Sequence, residues 1–285
     1  HTHSAKAGQG MNVSMQDGFN LGWKLGHVLT GLAPAELLRT FDAERRPVAQ
    51  QLIDFDREWS SLMARKPGEI TDPDELATYY LATAEFPSGF GTLYASSRIV
   101  AADAAQELAS GFPVGKRFHS VEVVRVCDGN VVHLGHHARA DGRWRVYAFA
   151  DADGSALRAW AEAAEPIVTR FTPPGADLDA VFDVKAIFPG RWEDVTEVPS
   201  LFRPRSGPLG LTDLEKVFAA GPSAWTTADI FAERGIGAEG AVVLVRPDQY
   251  VAHVLPLSAP GALEAFLSAA LAPSVPAAGP RDGRP

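Results

Sequence analysis

The stretch AVVLVRPDQYVAHVLPL, residues 241–257, decides the fold. Two short valine- and leucine-rich runs flank Pro247-Asp248-Gln249, so the segment reads as two strands, 241–246 and 250–257, closed by a tight hairpin. Just upstream, residues 227–234 read as a short helix ending at Gly235. Just downstream, residues 260–271 close as an amphipathic helix. Further upstream, WRVYAFA (144–150) has the apolar character of a strand buried on both faces. Residues 155–171 are helical, with Ser155 as the N-cap. LDAVFDVKAIF (178–188) reads as a second strand.

Read together, the order is strand, helix, strand, then helix, hairpin, helix. That is the arrangement of a thioredoxin-like fold, so the fold class is α/β. The residues before it follow a different pattern. Residues 12–32 carry Met15, Phe19, Trp23 and Val28 at helical spacing, widened by Leu21, Leu25 and Leu29. Gly18, Gly22 and Gly26 fall four apart on one face. Each costs a helix roughly 1 kcal/mol relative to alanine, so three in register predict that another backbone or a flat ligand packs closely there, close helix–sheet packing being the preferred reading for Gly22 and Gly26. Gly31 ends the helix and Pro34 opens the next. Residues 35–65 place Leu37, Leu38, Phe41, Val48, Leu52, Phe55 and Trp59 at helical spacing, with a kink or restart expected at Pro47. The charged run Asp42, Glu44, Arg45, Arg46 reads as a solvated face with local ion pairs, an anion site at Arg45 and Arg46 being the lesser alternative. Residues 74–84 read as a shorter helix and FPSGFGTLY (86–94) as a loop. Gly111, Pro113 and Gly115 place a domain boundary between about 100 and 115. This divides the chain into a mostly helical part (1–105), an α/β domain (112–272) and a Pro-, Gly- and Ala-rich tail (273–285) expected to be disordered.

Composition narrows the function. A length of 285 residues holds one or two domains with real cores. The net charge of −9 is spread along the chain and argues against nucleic acid or an anionic membrane as partner. No apolar run is long enough to span a bilayer, and no signal peptide is visible. The single cysteine, Cys127, can form neither an internal disulfide nor a Cys-x-x-Cys pair, which fits a reducing cytoplasm. His1 and His3, or His133, His136 and His137, form no metal spacing with Cys, Asp or Glu, and read as polar loop residues.

The chemistry-bearing motif is GQGMN, residues 8–12. A glycine loop running into a helix aims unpaired N–H groups and the positive end of the helix dipole at one point, a place for an electron-rich ligand. The longer run HTHSAKAGQGMNVSMQDGFNLGWKL (1–25) resembles the flavin-binding segment of the FAD-dependent aromatic hydroxylases, in the phenol hydroxylase and 3-hydroxybenzoate hydroxylase branch. FDAERRPVAQQLI (41–53) resembles the next helix of that family. RWRVYAFAD (143–151) and residues 241–257 resemble its thioredoxin-like C-terminal domain. The likeness reaches to about Ala272.

The resemblance implies that the backbone of Gly8, Gln9, Gly10, Met11 and Asn12 lies against the pyrimidine edge of FAD, near N1 and the C2 carbonyl. It implies that NADPH reduces the flavin, and that O₂ gives a C4a-hydroperoxide whose distal oxygen passes to a phenolic ring. It also implies a homodimer, with the thioredoxin-like domain serving packing and dimer formation. The Gly-x-Gly-x-x-Gly fingerprint and the Gly-Asp pair of that family are absent, and Ala5 stands where proline is usual. The chain then reads as the C-terminal part of a hydroxylase, without the catalytic and substrate-pocket residues. The alternative reading is a non-catalytic dimerisation or interaction module with a redox-inactive thioredoxin-like fold. A thiol–disulfide oxidoreductase is disfavoured by the missing second cysteine.

Overall fold

A computed structural model describes residues 10–65, 74, 78, 79, 81, 83, 85–221 and 223–274. It opens with two long helices, α1 (Gly10–Leu29) and α2 (Arg39–Met63). Between them Gly31 takes a left-handed φ of 75°, and residues Ala35–Leu38 make one 3₁₀ turn. The kink expected at Pro47 does not break α2, which runs through it without interruption. One lost N–H is outweighed by the face that this helix buries through Val48, Ala49, Leu52 and Phe55. A single helical turn, α3 (Glu85–Ser88), interrupts the segment read as a loop. The remainder of that segment is irregular. Of the helix expected at 74–84, the described residues 78, 79, 81 and 83 are helical; its other residues apart from 74, and most of the 273–285 tail, lie outside the described residues.

The α/β part follows as β1 (Glu122–Arg125), β2 (Val131–His133), β3 (Trp144–Phe149), α4 (Ser155–Arg170), β4 (Phe182–Phe188), β5 (Arg205–Ser206), β6 (Leu211–Thr212), β7 (Val217–Ala219), α5 (Ile230–Arg234), β8 (Ala241–Val245), β9 (Val251–Leu255) and α6 (Pro260–Ala270). Seven of the strands form one sheet in the order β2-β1-β7-β4-β3-β8-β9. β3, β4 and β7 are parallel, while β8 and β9 form the antiparallel hairpin beside β3. The portion β4-β3-β8-β9 with α4 and α6 is the thioredoxin-like arrangement read from the sequence. β1, β2 and β7 extend it on the far side. These three short strands escaped the sequence reading because each is too brief to show an alternation.

Both faces of the sheet are covered, which is why its central strands are nearly continuous apolar runs. Trp144, Val146, Ala148, Val184, Ala186 and Leu244 pack beneath Leu157, Trp160, Leu263 and Leu267 of α4 and α6. On the other face Tyr147, Phe149, Ile187 and Val243 pack against Phe112, Phe118 and Phe231. The outer edge of β9 is sealed by residues 101–118. Ala101 donates to the Ala252 carbonyl, Gly115 to that of Val251, and Val251 to that of Lys116, each at 2.8 Å. No helix among the described residues is long and apolar enough to cross a membrane.

Two local details explain the element boundaries. The 247–249 turn closes with Gln249 donating its N–H to the Arg246 carbonyl at 2.9 Å, and Gln249 takes a φ of 69°. A three-residue hairpin loop needs one left-handed residue, and glutamine fills the role here. At the start of α4 the expected cap, Ser155, is corrected. The Asp151 carboxylate accepts from the N–H groups of Ala156 (3.1 Å) and Leu157 (3.0 Å), and Gly154 turns the chain at φ 72°. An ionised carboxylate satisfies these donors and the helix dipole better than a hydroxyl does. Asp151→Ala is expected to lower stability by about 1 kcal/mol. A urea midpoint equal to that of the wild type would contradict this capping role.

Candidate functional site

The helix that carries GQGMN begins at Gly10, which is buried. Met11 is 70% exposed and Asn12 is half-buried. Gly8 and Gln9 lie outside the described residues. The first turn of α1 holds no Asp or Glu, so the helix itself supplies no carboxylate to offset the positive end of its dipole. This fits an electron-rich or anionic edge.

The apolar face continuing from that end is open. Met11, Met15, Phe19, Leu25 and Leu29 are exposed, and a Cβ added at Gly18, Gly22 or Gly26 would meet nothing within 4 Å. The sheet packing expected at Gly22 and Gly26 is therefore not made by any described residue of this chain. They line a groove of about 430 Å³ together with Trp23, His27 and Gly142. Unfilled glycine is what a flat or backbone surface requires of a helix it approaches.

The opposite face of α1 is bolted to the α/β part by buried charges. Arg246, at the end of β8, donates from both terminal nitrogens to the Glu44 carboxylate of α2, at 2.5 and 2.9 Å. It also grips Asp248 of the hairpin turn at 2.9 and 2.6 Å. Lys24 of α1 donates to Glu44 and to the Asn20 side-chain carbonyl, each at 2.7 Å. Asn20 donates to Glu44 (2.8 Å) and Asp248 (3.1 Å). All five residues are buried. The two cations and two anions cancel, which is what lets them share a dry site. Trp23, Tyr94 and Tyr250 wrap the Arg246 guanidinium at 5.6, 4.9 and 5.7 Å from their ring centres.

Burial alone would raise the Glu44 carboxyl, but Arg246 and Lys24 outweigh it and hold the group at about 2. Burial lowers Lys24 to about 8, and the neighbouring Arg246 adds to that. Glu44 and Asp248 offset only part of it.

The charged run 42–46 is thus split, and its reading as a solvated face is half wrong. Asp42 and Arg46 do form an exposed pair at 2.8 Å. Glu44 and Arg45 point inward. Arg45 donates to Asp17 at 2.5 Å and to the Tyr94 hydroxyl at 2.9 Å, so it is committed to a structural pair rather than an anion. Lys24, Asn20, Arg246 and Asp248 were missed. The available signals were a lysine inside an apolar helical stripe and an arginine ending an all-apolar strand.

A second buried centre lies in the sheet. Asp183 accepts from Lys185 and, at 2.7 Å, from Lys216. Burial raises its carboxyl, yet these two cations hold it well below the usual range. At the crossover end of β3, where the fold turns into α4, the loop 151–154 carries two aspartates and no thiol. Cys127 is exposed, on the turn between β1 and β2. His133 and His136 stand 5.1 Å apart, ring to ring. No group of three His, Cys, Asp or Glu able to hold a metal occurs among the described residues.

A family model described as the phenol hydroxylase C-terminal dimerisation domain matches residues 92–275. The chain belongs to that family. Residues 1–56 match an FAD-binding domain, so Asn20, Lys24 and Glu44 fall in one match, Arg246 and Asp248 in the other. A 3-hydroxybenzoate 4-monooxygenase of Comamonas testosteroni is 50% identical over 284 residues, covering 93% of this chain and 44% of that protein. A phenol 2-monooxygenase of Aspergillus fumigatus is 36% identical over 264 residues, covering 89% and 43%. The chain spans less than half the length of these relatives. Among solved structures, aklavinone-11 hydroxylase with FAD and aklavinone aligns with a TM-score of 0.56 at 24% identity, over 93% of this chain and 41% of that one. The flavin-dependent monooxygenase PieE aligns with 0.57 at 19%, over 94% and 45%. At these identities the likeness is one of fold.

Arg246→Ala is expected to cost roughly 3–5 kcal/mol, because it leaves two buried carboxylates with too few cations. For Glu44, a native value near 2 against an ordinary 4.5 means stability that is present above about pH 4.5 and lost as the pH falls toward 2. Glu44→Gln should therefore start less stable at neutral pH and lose less than the wild type across that window. Parallel urea-midpoint curves for the two proteins between pH 4.5 and 2 would contradict the assignment.

Proposed function

We propose that this chain is the C-terminal part of an FAD-dependent monooxygenase that hydroxylates a phenolic ring, with NADPH as the reductant, and that it works as a homodimer. The observation that carries the reading is the acid-free start of α1 at the GQGMN motif, inside the stretch that matches an FAD-binding domain. The named activities of the relatives and the dimerisation-domain match support the same reading. So does the open apolar face of α1, which has the character of one half of an internal contact. The division of the chain near residues 100–115 belongs to this proposal.

The residues present fit the cofactor's pyrimidine edge. The backbone of Gly8, Gln9, Gly10, Met11 and Asn12 would hold it. Glycine allows close approach of a planar ring, and first-turn N–H groups favour negative charge on it, by about 0.3–1 kcal/mol when exposed and more when partly buried. Bound flavin supplies the redox chemistry and activates oxygen. The contribution of this chain is orientation: the buried charges around Glu44 and Arg246 fix the axis of α1, and thus the direction of its N–H groups. The loop at 151–154 has no thiol, which leaves the thioredoxin-like domain a scaffold in this reading.

A protein carrying this chain at the full length of its relatives is expected to purify yellow. It should release FAD on denaturation and oxidise NADPH faster when a phenol or 3-hydroxybenzoate is present. A colourless protein that takes up no FAD would overturn the proposal. In the same protein Asn12→Asp sets a carboxylate against the dipole, and should slow flavin reduction by up to about tenfold, the effect of roughly 1 kcal/mol.

A further inference from the structure

The seven-stranded sheet leaves one pair of strands outside it, β5 and β6, joined by Gly207-Pro208-Leu209-Gly210. Two two-residue strands are too few to stand by themselves in water. This hairpin is held from below. Asp213 donates its N–H to the Pro204 carbonyl at 2.9 Å, Ser206 donates to Asp179 at 3.0 Å, and the Gly207 N–H donates to Asp177 at 2.8 Å. Lys216, buried, pairs with Asp179 and Asp213 at 3.1 and 3.4 Å. A rigid base therefore presents the tip.

The tip carries three exposed leucines within six residues: Leu209 at 81%, Leu211 at 66% and Leu214 at 49%. Elsewhere among the described residues of the 92–275 domain, the most exposed large apolar side chains are the isolated Trp225 and Leu93. A lone exposed apolar residue is ordinary, whereas a cluster on an anchored projection is not.

The charges beside the leucines are self-complementary. Arg203 and Arg205 are exposed on the incoming arm and have no ion-pair partner among the described residues. Asp213 and the exposed Glu215 lie on the outgoing arm, where Asp213 pairs with Lys216 and Glu215 with Arg125 at 3.3 Å, each keeping a solvent-facing side for a second cation. A two-fold axis brings a patch onto its own copy, and an axis running along the hairpin sets each arm against the opposite arm of the partner. That sets arginine against acid on both sides of an apolar centre.

We propose that the β5–β6 hairpin is the centre of the contact between two copies of this chain, with Leu209, Leu211 and Leu214 as its buried anchors and Arg205 as its steering charge. The placement rests on the homodimer reading above. It predicts contact through side chains of a projecting hairpin, in the manner of a small apolar hot spot inside a polar rim.

Sedimentation equilibrium on the full chain tests it. The wild type should be a dimer, and Leu209→Ser with Leu211→Ser should raise the dimer dissociation constant at least tenfold with an unchanged far-UV circular dichroism spectrum. Arg205→Glu, a change at an exposed side chain outside the core, should also weaken the dimer, and the weakening should shrink at high salt. Trp225→Ser should leave it unchanged. A dimer equally tight in the leucine double variant and in Arg205→Glu would overturn the placement while leaving the homodimer reading intact. A wild type that stays monomeric would overturn both. If the leucine variant does not fold, the Arg205→Glu result decides.

Discussion

The structure depends on the Arg246–Glu44 pair. It is bidentate, buried, and formed between residues about two hundred positions apart in sequence. Without it the helical part and the α/β part would meet through scattered single hydrogen bonds, such as His27 Nε2 with the Gly142 carbonyl at 2.7 Å, and through dispersive contacts such as Trp23 on Trp144, whose rings stand 5.8 Å apart in an edge-on arrangement. Apolar contacts of that kind tolerate sliding. A two-pronged ion pair does not, because a shift of an ångström strands a charge where water cannot reach it. Lys24, Asn20 and Asp248 then fill the remaining lone pairs and protons of the pair. Buried ionic groups contribute little to net stability, and their best-attested value is in fixing one arrangement among several. Here they fix the register of α1 against the sheet.

That register has a functional direction. One face of α1 is fully engaged by these charges, and the other is a bare track of glycine, methionine and leucine. A helix so divided acts as a shared wall. The α/β part sets its orientation, and whatever occupies the glycine track receives a surface already aligned. The same division explains why α1 carries three glycines at all. The helix tolerates their propensity penalty because its other face is held by charge and aromatic packing rather than by intrinsic helicity.

Much of this was legible in the sequence. The strands at 144–149, 182–188, 241–245 and 251–255, the helices around them and the turn at Gln249 follow from short apolar runs and turn residues, because a doubly covered sheet writes itself as continuous hydrophobic stretches. The site was less legible. Glu44 and Asp42 are the same kind of residue two positions apart, and only the helical phase against a partner not yet folded makes one buried and one solvated. Pro47 similarly carries a strong local signal for a break, which tertiary burial overrides. Asp151 lay outside the helix it caps and could not be told from any loop acid. What failed in each case was local inference about an outcome set by long-range contact.

The covered margin of β9 has one more consequence. A sheet grows by offering a free row of backbone donors and acceptors to the next strand. Residues 101–118 occupy that row on one side, and on the other the sheet ends in a strand of only three residues, β2. Addition of strands from neighbouring molecules is therefore blocked at one margin and poorly templated at the other. Such a molecule is protected from fibrous stacking while its side-chain surfaces stay free to choose partners.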